Sequence, residues 1–155
     1  MLKGIHHFSF TVSDMDTSLA FYTGVLGMRV RSEVIIQESP DHSVTQIPDA
    51  RLRIVHLNAY GYVIELIQYL SPIGKPLDTQ TCDTGSAHIA FIVDDMDAAY
   101  RELRQKGVLF KSEPVVTGRE AGAIVKSVYF LDPDGITLEL VEIGSLDRQI
   151  GRNEK

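Results

Sequence analysis

The sequence predicts an α+β protein built from two βαβββ modules in tandem, and three observations carry that expectation. First, the segment Ile5 to Asp16 lies over Ser86 to Asp97 at an offset of 81 residues. In that overlay His7/His88, Phe10/Phe91, Val12/Val93, Asp14/Asp95, Met15/Met96 and Asp16/Asp97 coincide. Second, Gly61-Tyr62-Val63-Ile64-Glu65-Leu66 lies over Gly135-Ile136-Thr137-Leu138-Glu139-Leu140 at an offset of 74. Two anchors in the same order mark an internal duplication. The second copy is shorter between them, and the polar stretch around Glu38 to Asp49 holds the excess of the first. Third, the apolar periodicity of each half reads as one strand, one helix and then three strands.

The elements follow in order. Residues 5–12 alternate in period two, as a half-buried strand does. Asp14 or Asp16 caps a helix carrying Leu19, Tyr22 and Leu26, and Gly27 ends it. Strands are expected near 28–37, at 43–47 or 51–58, and at 62–69. The second helix runs from about Asp97 to Lys106 with Gly107 beyond it. Strands follow near 108–113, 124–131 and 136–143, the last two joined by a tight turn at Asp132-Pro133-Asp134-Gly135. The organisation is a first module at 1–70, a linker at 71–85 rich in Pro and Gly, a second module at 86–144 and a flexible tail at 145–155, one domain overall.

Strand parity selects the residues that carry chemistry. Ile5, His7, Ser9 and Thr11 share one face of the first strand, while Phe8, Phe10 and Val12 share the face that takes the helix. His88 repeats the pattern, with Ala90 beside it and Phe91 and Val93 behind. Glu65 and Glu139 stand mid-strand between apolar neighbours, where a carboxylate is costly to bury. Two carboxylates meeting in one apolar site would repel, and one would be driven to a high pKa. A divalent cation removes that conflict. In a sheet curled into a cup, His7, Glu65, His88 and Glu139 would offer two nitrogens and two oxygens, with charge to balance a 2+ ion. One such ion per chain (Ni, Co, Zn, Mn or Fe) is expected. His6, His42 and His56 read as ordinary strand or surface histidines, Tyr60, Tyr62 and Tyr100 as packing, and Cys82 as incidental.

Composition narrows the partners. A net charge of −6 and a pI near 5.3 give no basic stripe for nucleic acid. The single cysteine excludes an intramolecular disulfide and the Cys-rich zinc-finger class. No apolar run reaches the length of a membrane span, and Met1 to Gly4 lead straight into a strand pattern with no room for a signal peptide. A cytoplasmic protein is expected.

With these residues in place, the chain resembles the vicinal oxygen chelate superfamily, which includes glyoxalase I, methylmalonyl-CoA epimerase, fosfomycin-resistance proteins, bleomycin-binding proteins and extradiol dioxygenases. The resemblance spans residues 4 to about 144 and rests on His7 within Ile5 to Asp14, Glu65 in Val63-Ile64-Glu65-Leu66, His88 within Ser86 to Asp95, and Asp132-Pro133-Asp134-Gly135 leading to Glu139. It implies the glyoxalase-like fold, a metal-bearing cup commonly completed in a homodimer, and a small-molecule substrate with adjacent oxygens. It does not fix the reaction.

The set His, Glu, His, Glu is similar to that of bacterial glyoxalase I, and close to the epimerase, which has Gln at the second position. That similarity implies a lyase or isomerase in which the metal chelates an enediolate and a glutamate moves the α-proton, Glu139 first and Glu65 second. The epimerase likeness extends faintly to Ser71-Pro72-Ile73-Gly74-Lys75, which keeps a CoA thioester among the substrates.

An extradiol dioxygenase is the alternative. Tyr129 through Gly135 followed by Glu139 fits the end of its signature. The signature's histidine would fall at Glu120 to Gly122 and is missing, and Glu65 would close a position that iron chemistry keeps open. A drug-binding resistance protein is the other alternative, but such members usually lose the ligands kept here. Glutathione-dependent glyoxalase I carries an Arg four residues after its first ligand and an Asn four after its second, and Thr11 and Tyr69 stand there in this chain. Thr11, Tyr69 and Tyr129 are the candidate substrate contacts. The hemithioacetal of methylglyoxal and glutathione should therefore be a poor substrate; turnover at the rate of an authentic glyoxalase I, followed by thioester absorbance, would contradict this.

Overall fold

Each repeat opens with a short strand that ladders in parallel onto the last strand of its own module, and this pairing places everything that follows. The computed structural model describes residues 1–77 and 80–144. Asp78 and Thr79 of the expected linker, and the expected tail at 145–155, lie outside the described residues. The chain forms two compact units, Met1–Leu77 and a second that begins at Asp78.

In the first unit β1 (Phe8–Thr11) is followed by α1 (Met15–Leu19), which widens into a π-helical stretch over Ala20–Val25. Three strands complete it: β2 (Arg29–Gln37), β3 (Arg51–Ala59) and β4 (Tyr62–Ser71). The sheet order is β1-β4-β3-β2, with β1 parallel to β4 and the other pairs antiparallel. The second unit holds β5 (Ile89–Ile92), α2 (Met96–Gln105), β6 (Leu109–Phe110), β7 (Val115–Glu120), β8 (Ala123–Leu131) and β9 (Thr137–Ile143). Its order is β5-β9-β8, with β6 and β7 both pairing with β8. The fold is α+β, with two mixed sheets and few helices.

Equivalent residues start both helices. Asp14 accepts from the Thr17 amide at 2.7 Å and Asp95 from the Ala98 amide at 2.9 Å, so the repeated aspartates are N-caps. Asp16 does not cap; it accepts from Arg53, which also donates to Glu33. Each helix covers the apolar face of its sheet. Met15, Ser18 and Tyr22 are buried on the first, where the Tyr22 ring stacks on Phe10 at 6.4 Å. Beneath them lie Val12, Val55, Leu57, Ile64 and Leu66, all buried. In the second unit Met96 and Leu103 of α2 are buried, as are Val128, Phe130, Leu138 and Leu140 of the sheet.

Two strand expectations need correction, and an open one is decided. The first strand begins at Phe8, not Ile5, where its ladder onto β4 starts with the Phe8↔Ile64 pair. Of the two segments expected for the third strand of the first half, it is the one near 51–58 that forms, as 51–59. The segment expected as one strand at 108–113 stops at Phe110, and chain resumes as β7 past Pro114, which cannot donate to a ladder. Together β6 and β7 occupy the edge of β8 that β2 occupies beside β3.

Turn chemistry fixes the strand registers. Tyr60 and Gly61, with φ of 53° and 94°, form a two-residue type I′ turn between β3 and β4. The Tyr60 hydroxyl donates to the Leu26 carbonyl at the end of the first helix. Between β8 and β9 the buried Asp132 accepts from the amides of Asp134 and Ile136, at 2.9 and 2.8 Å.

The excess chain of the first half is organised around Glu38, which is 6% exposed. Its carboxylate accepts from the hydroxyls of Ser43 and Thr45 and from the amides of Val44 and Thr45. The Thr45 and Ser43 hydroxyls, outweighing desolvation, hold its pKa below 4.5. A depressed carboxylate contributes stability above its unfolded pKa and loses it as pH falls through the folded value. Glu38→Gln should therefore be less stable than the natural protein at neutral pH, with the gap closing as pH falls below 4.5. Urea denaturation from pH 7 to pH 3 measures it, and a constant gap would show that the charge does not hold this loop.

Candidate metal centre

The strand ladders bring one histidine and one glutamate together in each unit. Glu65 lies in β4 opposite Ser9 of β1 and His56 of β3. Ile64 and Leu66 point into the core, so Glu65 faces the other way, yet it is only 9% exposed. His7 is the residue just ahead of β1, and its Nε2 lies 3.3 Å from Glu65 Oε1. In the second unit Glu139 lies opposite Ala90 of β5 and Tyr129 of β8. His88, just ahead of β5, places its Nε2 3.0 Å from Glu139 Oε2. Both pairs are half-buried rather than enclosed.

The structure thus joins His7 to Glu65 and His88 to Glu139, each within its own unit. Thr11 and Tyr69 stand on the Glu65 face of the first sheet, further along β1 and β4. Tyr129 shares the Glu139 face, and its ring meets that of His88 edge-on at a centroid distance of 5.1 Å.

His56 corrects the sequence reading. Rather than an ordinary strand histidine, it is directly opposite Glu65, with Nε2 3.0 Å from Glu65 Oε2. Its Nδ1 lies 3.0 Å from the Ser32 hydroxyl. His7, His56 and Glu65 each bring one ligand-type atom to within 4.8 Å of the others. The hairpin register was the signal that could have found it: the Tyr60-Gly61 turn pairs Ala59 with Tyr62, and counting back brings His56 to Glu65. The repeat itself hides the position. Tyr129 is the structural counterpart of His56, but the longer turn after β8 shifts the two out of step in the overlay that matches Glu65 with Glu139.

These groups fit a divalent ion. Imidazole nitrogen with carboxylate oxygen is the donor set of first-row metals such as Zn, Ni, Co and Fe. Bonds of about 2.1 Å put neighbouring ligand atoms about 3.0 Å apart at a right angle and about 3.4 Å apart at a tetrahedral angle. The observed spacings of 3.0 and 3.3 Å fall in that range.

Comparison with known proteins identifies the family and the fold. Residues 4–140 match the model of the Glyoxalase/Bleomycin resistance protein/Dioxygenase superfamily. The chain is 34% identical over 142 residues to the uncharacterized protein YwkD of Bacillus subtilis (strain 168), covering 92% of this chain and 98% of that one. It is 31% identical to a 2-epi-5-epi-valiolone epimerase of Actinomyces sp, covering 90% of this chain and 79% of that one. Identity to the lactoylglutathione lyase of Salmonella typhimurium is 30%, over 94% of this chain and 96% of that one. Among solved structures, a glyoxalase family protein from Bacillus cereus superposes with a TM-score of 0.79 at 19% identity, over 94% and 97% of the two chains. At that identity the likeness speaks for the fold.

Proposed function

The chain belongs to the Glyoxalase/Bleomycin resistance protein/Dioxygenase superfamily, and on that premise we propose that it is a metal-dependent lyase or isomerase acting on a small molecule with adjacent oxygens. Its two modules, residues 1–70 and 86–144, work as one domain, and His7, Glu65, His88 and Glu139 ligate one divalent ion. The observation that carries this reading is the recurrence of the same His–Glu pair, at equivalent ladder positions, in both units. Relatives of about 30% identity that are named as an epimerase and a lyase support it. Removal of a proton beside a carbonyl, and its return, is one elementary step that would serve either activity.

When bound, the ion offsets the negative charge that develops on the substrate oxygens as the adjacent C–H bond is broken. The chain's own residues do the rest. Glu139 takes the proton from the α-carbon onto its carboxylate and returns it to the neighbouring carbon; for inversion at the same carbon, Glu65, protonated from solvent, supplies the proton to the opposite face. Glu139 suits the first role because its carboxylate meets His88 through one oxygen, whereas Glu65 is engaged at both oxygens by His7 and His56. Glu65 is accordingly the anchor and the second candidate base. Tyr129 beside His88, and Thr11 and Tyr69 further along the Glu65 face, contact the substrate.

The protein purified without chelator should carry about one divalent ion per chain. With α-hydroxy carbonyl adducts or acyl-CoA thioesters it should exchange the α-proton for deuterium without consuming oxygen. Glu139→Gln should lower the exchange rate by at least about 100-fold, the loss expected for a positioned base, and Glu65→Gln should cost less. Oxygen uptake with a catechol and Fe(II), without α-deuteration, would establish the dioxygenase alternative instead. Ligand binding with no turnover by either assay would mark a binding protein.

A homodimer is part of the same proposal. Among the described residues β2 is one of the two edge strands of the first sheet, and Val30, Val34, Ile35 and Ile36 along it are exposed. An open edge of this kind invites pairing. Light scattering should give twice the chain mass of 17.2 kDa, and the single-chain mass in concentrated solution would reject the dimer.

A further inference from the structure

The first unit contains a line of polar side chains that the proposed chemistry does not use. It crosses three strands of one sheet face: Ser32 of β2, His56 of β3 and Glu65 of β4, each opposite the next in the ladder. Ser32 Oγ lies 3.0 Å from His56 Nδ1, and His56 Nε2 lies 3.0 Å from Glu65 Oε2. The other Glu65 oxygen, Oε1, is the one that faces His7.

We infer that His56 is a positioning residue: it holds Oε2 of Glu65 through a hydrogen bond, fixed in its tautomer by Ser32, and so leaves Oε1 aimed at the ion. The inference rests on the metal reading given above. A carboxylate only accepts, so the Nε2 facing it carries the hydrogen. In the neutral ring Nδ1 is then the acceptor, and the Ser32 hydroxyl donates to it. Groups that hydrogen-bond a ligating carboxylate set its orientation, and their loss typically weakens metal binding by about 10–100-fold.

His56 could instead be a ligand, since its nitrogen is near enough to His7 and Glu65. One observation favours the brace: the two oxygens of Glu65 are divided, one to each histidine, rather than shared. The second unit agrees, because at the matching ladder position it has Tyr129, whose ring packs on His88. One module therefore braces its glutamate and the other its histidine.

Cobalt(II) titration of the natural protein and of His56→Leu, His56→Gln and Ser32→Ala tests the assignment, alongside the tautomer of His56 read by long-range proton–nitrogen NMR on metal-free protein. The Leu variant should bind cobalt about 10–100-fold more weakly. The Gln variant, which keeps an N–H near the same place, should recover most of that loss. The natural protein should show His56 with its hydrogen on Nε2, a preference weakened in Ser32→Ala. Cobalt affinity unchanged in the Leu variant would overturn the inference. So would a Gln variant as weak as the Leu variant, with an altered ligand-field spectrum, because His56 would then be a ligand. If the natural protein binds no cobalt, the metal reading fails, and the NMR measurement still decides the brace: hydrogen on Nδ1 refutes it. Should His56→Leu not fold, Ser32→Ala and the natural protein carry the test.

Discussion

The arrangement depends on the pairing of a short leading strand with the last strand of its own module. The parallel ladder of β1 on β4, and of β5 on β9, determines which residue of each final strand lies beside the histidine. Because side chains alternate across a strand, the same register sends Ile64 and Leu66, or Leu138 and Leu140, into the core and Glu65 or Glu139 away from it. A slip of one residue would bury the carboxylates and expose the leucines. The cost of that exchange holds the register, so the hydrophobic core and the polar site are positioned by one constraint.

Much of this was legible because the sequence is written twice. The overlay of His7 on His88 and Glu65 on Glu139 turned four ordinary residues into a pattern, and parity then assigned their faces. The capping aspartates, the helix-ending glycines and the Asp132–Gly135 turn follow from local chemistry and were equally readable. What escaped was set by interactions between segments. Pro114 breaks a strand that alternation alone would continue, and the choice of 51–59 over 43–47 depends on which segment reaches β4. His56 escaped because its importance lies in the residue across the ladder. No motif within β3 announces it, and the unequal hairpin turns remove it from the repeat.

Each module keeps a His–Glu pair, and the two differ around it. Glu65 is engaged at both oxygens, while Tyr129 supports His88 in the second unit. The first helix widens into a π-helical stretch where the second stays α-helical. The first half alone carries the loop gathered on Glu38. The copies of this duplication have taken different supporting residues, so two glutamates at equivalent ladder positions stand in different surroundings.

The place where each parallel ladder starts has a consequence of another kind. His7 and His88 stand one residue outside their strands, while Glu65 and Glu139 sit within theirs. The four residues therefore divide into carboxylates woven into the sheet and imidazoles attached at its margin. Exchanging a histidine leaves the strand pairing untouched; exchanging a glutamate changes a residue inside the ladder, whose two chain neighbours pack the core. The sheet therefore tolerates change at the two histidine positions more readily than at the two glutamate positions.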